Sequence, residues 1–190
     1  MEGSRGLEEK FERAAEVLKG GGVAVIPTDT VYGLAAHPAF PAAVDRLYTI
    51  KGRALKKPIA LLASDIAAVE RFGHPLVGKA RELAERHWPG ALTLVIPAAD
   101  PKRPAEGFRV PDHDGTRALL AACGGVLRVT SANLSGRRPA TDAPQALRDV
   151  GLSADVVVDD GVSPGGVPST VVRVLPDGNV EVLREGAVKI

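Results

Sequence analysis

The chain has 190 residues, of which 45% are hydrophobic and 25% are charged, and its formal net charge is +1. This length fits one domain, and the apolar content excludes a disordered chain. The single cysteine, Cys123, excludes an intrachain disulfide and a cysteine-rich zinc site. Residues 1–16 are charged and lack the apolar core of a signal peptide, and no apolar run approaches the roughly 18 residues of a membrane span. We therefore expect a single cytoplasmic domain over residues 1–190, with no membrane partner.

The apolar periodicity and the glycines and prolines that interrupt it predict helices and strands along the whole chain. In the first half they are a helix at 7–18, a strand at 23–26, a helix at 41–51, a strand at 59–62, a short helix capped by Ser64, and a helix at 76–84. In the second half they are strands at 92–96 and 108–110, a helix at 117–123, a strand at 126–130, a short helix after Pro144, a strand at 156–158, and a hairpin with arms at 170–175 and 180–184. Alternating helices and strands followed by a hairpin are typical of an α/β fold with a sheet of mixed direction.

Basic residues cluster at two places on this nearly neutral chain. Lys51, Arg53, Lys56 and Lys57 lie close together, and a pair of arginines follows at 137–138. A locally positive cleft of this kind would suit a small polyanion such as a nucleotide. The alternative is that these side chains are solvated surface charges.

Three motifs indicate chemistry that other features argue against. Residues 73–80 nearly match a phosphate-binding loop, but Ala80 replaces the hydroxyl that binds magnesium and Pro75 lies inside the loop. Ser131 and Ser135 lack the G-x-S-x-G motif and have no evident base beside them, which leaves a serine hydrolase weakly supported. The four histidines show no metal-ligand spacing, so we predict no metal site formed by the protein.

Polar segments at the ends of predicted strands and helices are better candidates, because active sites in open α/β sheets gather there. They comprise residues 28–34, 51–53, 131–136 and 168–170, joined by Arg109 and Arg184 on predicted strands. Taken singly, each has an ordinary explanation: threonine, serine, aspartate and asparagine satisfy turns, and an arginine in a strand commonly faces water.

Together these segments resemble the YrdC-like family of threonylcarbamoyl-AMP synthases. The paired signature K-x-R and S-x-N is present as Lys51/Arg53 and Ser131/Asn133. Supporting motifs follow in family order: PTDTVYGL at 27–34, WPGALT at 88–93, TSANLSG at 130–136 and REGA at 184–187. The resemblance implies a YrdC-like twisted open mixed sheet with flanking helices, a positively charged concave cleft, and a domain core at about residues 7–187. It also implies the short single-domain form of the family.

The resemblance implies an L-threonylcarbamoyladenylate synthase, a nucleotidyltransferase acting on L-threonine, bicarbonate or CO2, and ATP. A threonine carbamate would attack the α-phosphate of ATP and release pyrophosphate, with no covalent enzyme nucleophile. The product would serve the N6-threonylcarbamoyladenosine modification of tRNA. ATP is then a substrate that carries its own Mg²⁺, and no metal is caged by the protein.

The family roles transfer to particular residues of this sequence. The implied catalytic residues are Lys51, Arg53, Ser131 and Asn133. The implied contacts to threonine or its carbamate are Thr30, Arg109, Ser131 and Ser169, and we place Tyr32 in the pocket wall as a hypothesis. The implied ATP-binding residues are Lys51, Arg53, Lys57, Asn133, Thr141 and Arg184. Metal ligands are not expected.

Two alternatives stay open at this point. Leu62 stands where many relatives carry a histidine near the amino acid, so a related carbamoyl-adenylate enzyme with another acceptor is one of them. The other is a non-catalytic module that binds double-stranded RNA or acts in ribosome maturation. The implied partners are tRNA or double-stranded RNA, and a tRNA threonylcarbamoyl transferase complex that receives the product.

Overall fold

A computed structural model describes residues 2–52, 54, 57–175 and 177–190. Within these ranges the helices are α1 (Glu2–Lys19), α2 (Pro41–Lys51), α3 (Ile66–Arg71), α4 (Gly78–His87), α5 (Asp114–Ala122) and α6 (Ala143–Asp149), with a 3₁₀ turn at Gly151–Ser153. The strands are β1 (Val23–Ile26), β2 (Gly33–Ala36), β3 (Leu61–Ala63), β4 (Leu92–Ile96), β5 (Glu106–Arg109), β6 (Val126–Ser131), β7 (Val156–Val157), β8 (Thr170–Val174) and β9 (Val180–Arg184).

The strands form one twisted sheet in the order β7-β1-β2-β6-β3-β5-β4-β8-β9. Three neighbouring pairs are parallel, namely β1 with β7, β3 with β5, and β4 with β8. The other five pairs are antiparallel. This confirms the predicted α/β fold with an open sheet of mixed direction.

Strand β2 is missing from the sequence-based prediction, although it lies between β1 and β6. Its sequence, Gly-Leu-Ala-Ala, shows no alternation of apolar and polar residues because all four residues are buried. Gly33 is required by packing, since a Cβ there would lie 2.5 Å from Cγ1 of Val129 on β6. Burial on both faces therefore removed the pattern that identifies a strand.

The predicted cap of α3 at Ser64 is wrong. Asp65 has an extended backbone and its carboxylate accepts a hydrogen bond from the amide of Ala68 at 2.7 Å, so Asp65 is the N-cap. The hydroxyl of Ser64 instead donates to the carboxylate of Asp65 at 3.1 Å. Aspartate and serine are both favourable N-caps, and α3 begins one residue later than a cap at Ser64 would require.

Alternate residues of β1 pack into two different cores. Val23 and Val25 belong to the core that includes the apolar faces of α2 and α6, whereas Ala24 and Ile26 belong to the core that includes those of α1 and α5. A third core lies under α3 and α4 and includes Phe108 of β5. The helices thus fix the sheet on both faces and leave strand ends and connecting loops to form a cavity. No helix in the described part of the chain is long and apolar enough to cross a membrane.

Candidate active site

A cavity of about 600 Å³ collects most of the polar segments that the sequence singled out. Its size is in the range of small-molecule sites. The sequence-predicted residues that line it are Thr30, Tyr32, Arg109, Ser131, Asn133, Ser169 and Arg184. They come from the β1–β2 loop, β5, the end of β6 and the segments around β8 and β9, which the sheet order brings together.

Arg109 lies at the base of this cavity with a side chain that is only 7% exposed. Its Nε donates to the carbonyl oxygen of Gly90 at 2.9 Å, its Nη1 donates to Oγ1 of Thr30 at 2.8 Å, and its Nη2 pairs with Oδ1 of Asp29. Burial lowers the pKa of the Arg109 guanidinium, and the charge of Asp29 opposes that shift. The guanidinium is therefore a fixed, desolvated cation, unlike the water-facing arginine that is usual in a strand.

Thr30 is held by its own loop as well as by Arg109. Oγ1 of Thr28 donates to the carbonyl of Val31 at 2.7 Å, which uses its only proton. The contact of 3.0 Å between the Thr28 and Thr30 hydroxyls therefore has Thr30 as donor. Because Thr30 also accepts from Arg109, it retains one lone pair, with which it can accept a hydrogen bond from an ammonium or hydroxyl group of a ligand.

Ser169 and Arg184 form a second polar group on the cavity wall. Nη2 of Arg184 donates to the carbonyl oxygen of Ser169 at 2.6 Å and to its Oγ at 3.1 Å. The Ser169 hydroxyl is also 2.8 Å from Oγ1 of Thr93 on β4. The serine is therefore oriented from two sides, by an arginine that itself lines the cavity.

Lys51 is buried at the end of α2 and reaches the S-x-N segment. Its Nζ donates to the carbonyl oxygens of Ser131 and Asn133, the second at 2.6 Å. The amide of Asn133 in turn donates to the carbonyl oxygens of Leu134 and Arg137, both at 2.9 Å. The two halves of the paired signature, K-x-R and S-x-N, are thus in direct contact.

The hydroxyl of Tyr32 is engaged by the backbone. It donates to the carbonyl oxygen of Gly161 at 2.6 Å and accepts from the amide of Asp160 at 3.2 Å. Burial raises the pKa of Tyr32, the Asp160 hydrogen bond opposes this, and the nearby Asp159, Asp160 and Asp142 add to the rise. Tyr32 is among the residues that line the cavity, its side chain is buried, and its hydroxyl holds residues 160–161, so a contact of Tyr32 with substrate stays a hypothesis.

Four predicted site residues are not among the described residues that line the cavity. Lys51 lies behind the S-x-N segment. Lys57 is exposed, and the hydroxyl of Thr141 is paired with the side-chain amide of Gln145 at 3.1 Å. Arg53 lies outside the described residues. The roles predicted for these four residues stay predictions.

Several residues that line or support the cavity had no predicted role: Asp29, Thr93, Glu106, Arg128, Arg137 and Arg173. Glu106 of β5 pairs with Arg128 of β6 at 2.5 Å across the end of β3, and Nη1 of Arg128 also donates to the carbonyl oxygen of Ile59 at 2.8 Å. Asp29 and Thr93 lie within the motifs quoted above, and that placement was the only signal for them. Leu62 lines the cavity, so its apolar side chain is part of the site.

Comparison with known proteins places this fold and cavity in a family. The model of the Sua5, YciO and YrdC family, which carries the description "Telomere recombination", matches residues 16–186. That span includes all the residues of the predicted site.

Curated relatives share this similarity over most of the chain. A threonylcarbamoyl-AMP synthase of Bacillus subtilis is 35% identical over 189 residues, covering 95% of this chain and 54% of the relative. A threonylcarbamoyl-AMP synthase of Nitrosococcus oceani is 34% identical over 152 residues, covering 76% of this chain and 82% of the relative. The chain therefore spans about half the length of the first of these proteins.

The similarity extends to a solved structure. Sua5 of P. abyssi, complexed with L-threonine, superposes with a TM-score of 0.87 at 30% identity, covering 94% of this chain and 54% of the P. abyssi chain.

Proposed function

This chain belongs to the Sua5, YciO and YrdC family, and we propose that it is an L-threonylcarbamoyladenylate synthase. It would convert L-threonine, bicarbonate or CO2, and ATP into threonylcarbamoyl-AMP and pyrophosphate. The observation that carries the proposal is the meeting, in one cavity, of a buried cation, Arg109, with the S-x-N segment and the Ser169–Arg184 pair. The name of the two curated relatives and the threonine bound to P. abyssi Sua5 support the same reaction.

The proposed chemistry needs cations and positioning rather than a nucleophile supplied by the protein. The threonine amine, in its neutral form, joins CO2 with release of a proton, or joins bicarbonate with loss of water, to give a carbamate. A carbamate oxygen then attacks the α-phosphate of ATP, and the bond to the β-phosphate breaks as pyrophosphate leaves. Negative charge builds up on phosphate oxygens in this step, so fixed cations and hydrogen-bond donors accelerate it.

We assign the amino acid to the side of the cavity formed by Thr30, Arg109 and Ser169. An α-amino acid offers a carboxylate, which a guanidinium can bind in a bidentate manner. It also offers an ammonium group, whose N–H can donate a hydrogen bond to the oxygen of a hydroxyl. Arg109 and Thr30 present these two functions next to each other. Ser131, on the neighbouring strand end, would contact both the carbamate and the nucleotide.

We assign ATP to the side formed by the S-x-N segment and Arg184. Four arginines and one glutamate line the cavity, and this excess of cations supports an anionic ligand. Lys51 would act in catalysis by organising Ser131 and Asn133, which it holds through their carbonyl oxygens. The proposed nucleotide contacts are Lys51, Arg53, Lys57, Asn133, Thr141 and Arg184.

Magnesium would arrive with ATP. The described residues contain no group of three or more histidine, cysteine, aspartate or glutamate side chains placed to hold a metal ion. In this proposal the metal is held mainly by phosphate oxygens and water, as is usual for Mg²⁺ at nucleotide sites.

The product would pass to a tRNA threonylcarbamoyl transferase in the cytoplasm. The proposal also includes the single YrdC-like domain over residues 1–190 that the sequence predicts. A second candidate function is the same kind of reaction with another amino acid as acceptor. Leu62 in the cavity wall supports it, because beside an apolar side chain the choice of amino acid depends on its size and on its contact with Thr30. Binding of tRNA or double-stranded RNA alone is a third candidate, and it predicts an affinity that falls steeply with salt.

Pyrophosphate release from ATP and bicarbonate tests the proposal when L-threonine, serine, glycine and no amino acid are compared. Release that depends on threonine supports the synthase. Release with another amino acid but not with threonine would support the second candidate. The absence of release with any amino acid, combined with salt-sensitive RNA binding, would overturn the enzymatic proposal.

A further inference from the structure

The carboxylate of Asp29 is almost enclosed, with a side chain that is 12% exposed, and it pairs with the guanidinium of Arg109. Arg109 lines the cavity, whereas Asp29 is not among the described residues that do so. A carboxylate in this position lies behind the arginine as seen from the cavity. Its link to the cavity is the ion pair with Arg109 in front of it.

Three of the five N–H bonds of Arg109 are already used, by Gly90, Thr30 and Asp29. Because these three acceptors engage all three nitrogens, the plane of the guanidinium cannot rotate without breaking at least one contact. One N–H bond remains on each terminal nitrogen for a ligand, a number that matches the two oxygens of a carboxylate.

Asp29 itself is held by a neighbouring segment. The amide of Gly165 donates to the carbonyl oxygen of Asp29 at 2.9 Å, and the amide of Gly166 donates to that of Thr30 at 2.8 Å. The backbone that carries the carboxylate is therefore fixed independently of Arg109. A fixed carboxylate can set the position of a long flexible side chain.

We infer that Asp29 is a positioning residue, which orients Arg109 so that its two remaining N–H bonds face the carboxylate of the amino acid substrate. The inference rests on the proposed function. Asp29 also compensates the charge of a guanidinium that burial would otherwise penalise. Without it, the arginine would gain by turning toward water and would leave the amino acid without its partner.

The test uses Asp29→Asn, which retains the size and turn-forming capacity of the side chain and removes its charge. We expect the KM for threonine to rise about 10- to 100-fold, as for the loss of other supporting contacts in active sites. The KM for ATP should change little, because the nucleotide is assigned to other residues. Asp29→Glu keeps the charge but moves it by one methylene, and it should raise the KM for threonine less than Asp29→Asn.

A double-mutant cycle with Arg109→Met separates positioning from a structural role, because methionine cannot pair with Asp29. If Asp29 acts through Arg109, Asp29→Asn has little further effect on the KM for threonine in the Arg109→Met background. Equal effects in both backgrounds, or an unchanged KM for threonine in Asp29→Asn, would overturn the inference. If Asp29→Asn does not fold, the same comparison is made with Asp29→Glu.

The outcomes also distinguish this inference from the proposed function. If the wild-type protein releases pyrophosphate with threonine but Asp29→Asn leaves the KM for threonine unchanged, the role of Asp29 is overturned and the proposed synthase activity stands. A wild-type protein that is inactive with every amino acid removes both.

Discussion

Nζ of Lys51 lies 2.6 Å from the carbonyl oxygen of Asn133, 82 positions further along the chain, and the contact is buried. A second bond joins the same nitrogen to the carbonyl of Ser131. An ammonium group that donates to two carbonyls on either side of Ala132 fixes the turn after β6. The K-x-R and S-x-N motifs are therefore parts of a single local structure.

Replacing this lysine by methionine removes the ammonium group that makes both hydrogen bonds and retains an unbranched side chain. We expect Lys51→Met to lower the free energy of unfolding by about 1–3 kcal/mol, because two carbonyl oxygens lose their partner. Activity should fall about 100-fold, because Ser131 and Asn133 lose the group that positions them and small displacements in a site are costly. Lys79→Met is the control in urea unfolding, since within the described part of the chain Lys79 forms only an exposed pair with Glu82 on α4. Equal stability of the two variants would contradict the account.

The hydroxyl of Tyr32 is predicted to matter for structure rather than for chemistry. Tyr32→Phe frees the backbone groups of residues 160 and 161, so the free energy of unfolding should fall by about 1–3 kcal/mol, with kcat nearly unchanged. Tyr48→Phe is the matched control, because its hydroxyl makes no hydrogen bond within the described residues. A loss of kcat in Tyr32→Phe without a loss of stability would assign the hydroxyl to the reaction.

The raised pKa of Tyr32 has a consequence at alkaline pH. Protonated Tyr32 contributes its full stabilisation below the unfolded pKa of about 10. Above that value the unfolded chain loses its proton first, so stability falls as the pH rises through the folded pKa. Urea unfolding between about pH 9 and 11 should therefore show a steeper decline for the wild type than for Tyr32→Phe. Parallel declines would refute this.

Gly165 lies so close to the β1–β2 loop that a methyl group cannot be added without displacement. A Cβ at Gly165 would be 2.6 Å from the carbonyl oxygen of Asp29 and 3.1 Å from Cα of Thr30. We expect Gly165→Ala to raise the KM for threonine about 10-fold or more, because small displacements of binding groups are costly. Gly6→Ala, on α1 with no atom within 4 Å, should stabilise the protein and leave kinetics unchanged.

Asp155 stabilises one edge of the sheet and should not affect activity. Its carboxylate accepts from the amide of Val23 at 2.7 Å and from Nη1 of Arg46 at 2.8 Å, and the Arg46 hydrogen bond lowers its pKa. The stabilisation is present above the unfolded pKa of about 3.9 and is lost as pH falls through the lower folded value. Asp155→Asn should therefore lose up to about 1 kcal/mol at neutral pH, since the ion pair is partly exposed. Unfolding measured across acid pH checks whether the difference disappears there.

The sequence predicted elements whose pattern is local, and it missed contacts that depend on the sheet order. Helices α1, α2, α4 and α5 carry clear apolar faces and β4 is largely apolar, so each was found, although α1 begins at Glu2 rather than at the predicted residue 7. Strand β2 was missed because burial on both faces removes alternation. Ser64 was chosen over Asp65 because adjacent capping residues differ only by register.

The site shows the same division. Motifs identified many of the residues that line the cavity, including Arg109 and Ser169, but gave no orienting role to Asp29 and Thr93. Asp29 and Arg109 are 80 positions apart, and Thr93 and Ser169 are 76 apart, so no spacing rule connects them. Thr93 meets Ser169 because β8 pairs with β4, and Asp29 meets Arg109 because the β1–β2 loop reaches the end of β5.

The most direct measurement is the mass spectrum of the nucleotide products formed with ATP, L-threonine and ¹³C-labelled bicarbonate. The account predicts an adenylate that contains threonine and one labelled carbon, present with the wild type and greatly reduced with Lys51→Met. AMP or ADP alone, with no labelled carbon joined to threonine, would contradict the central claim.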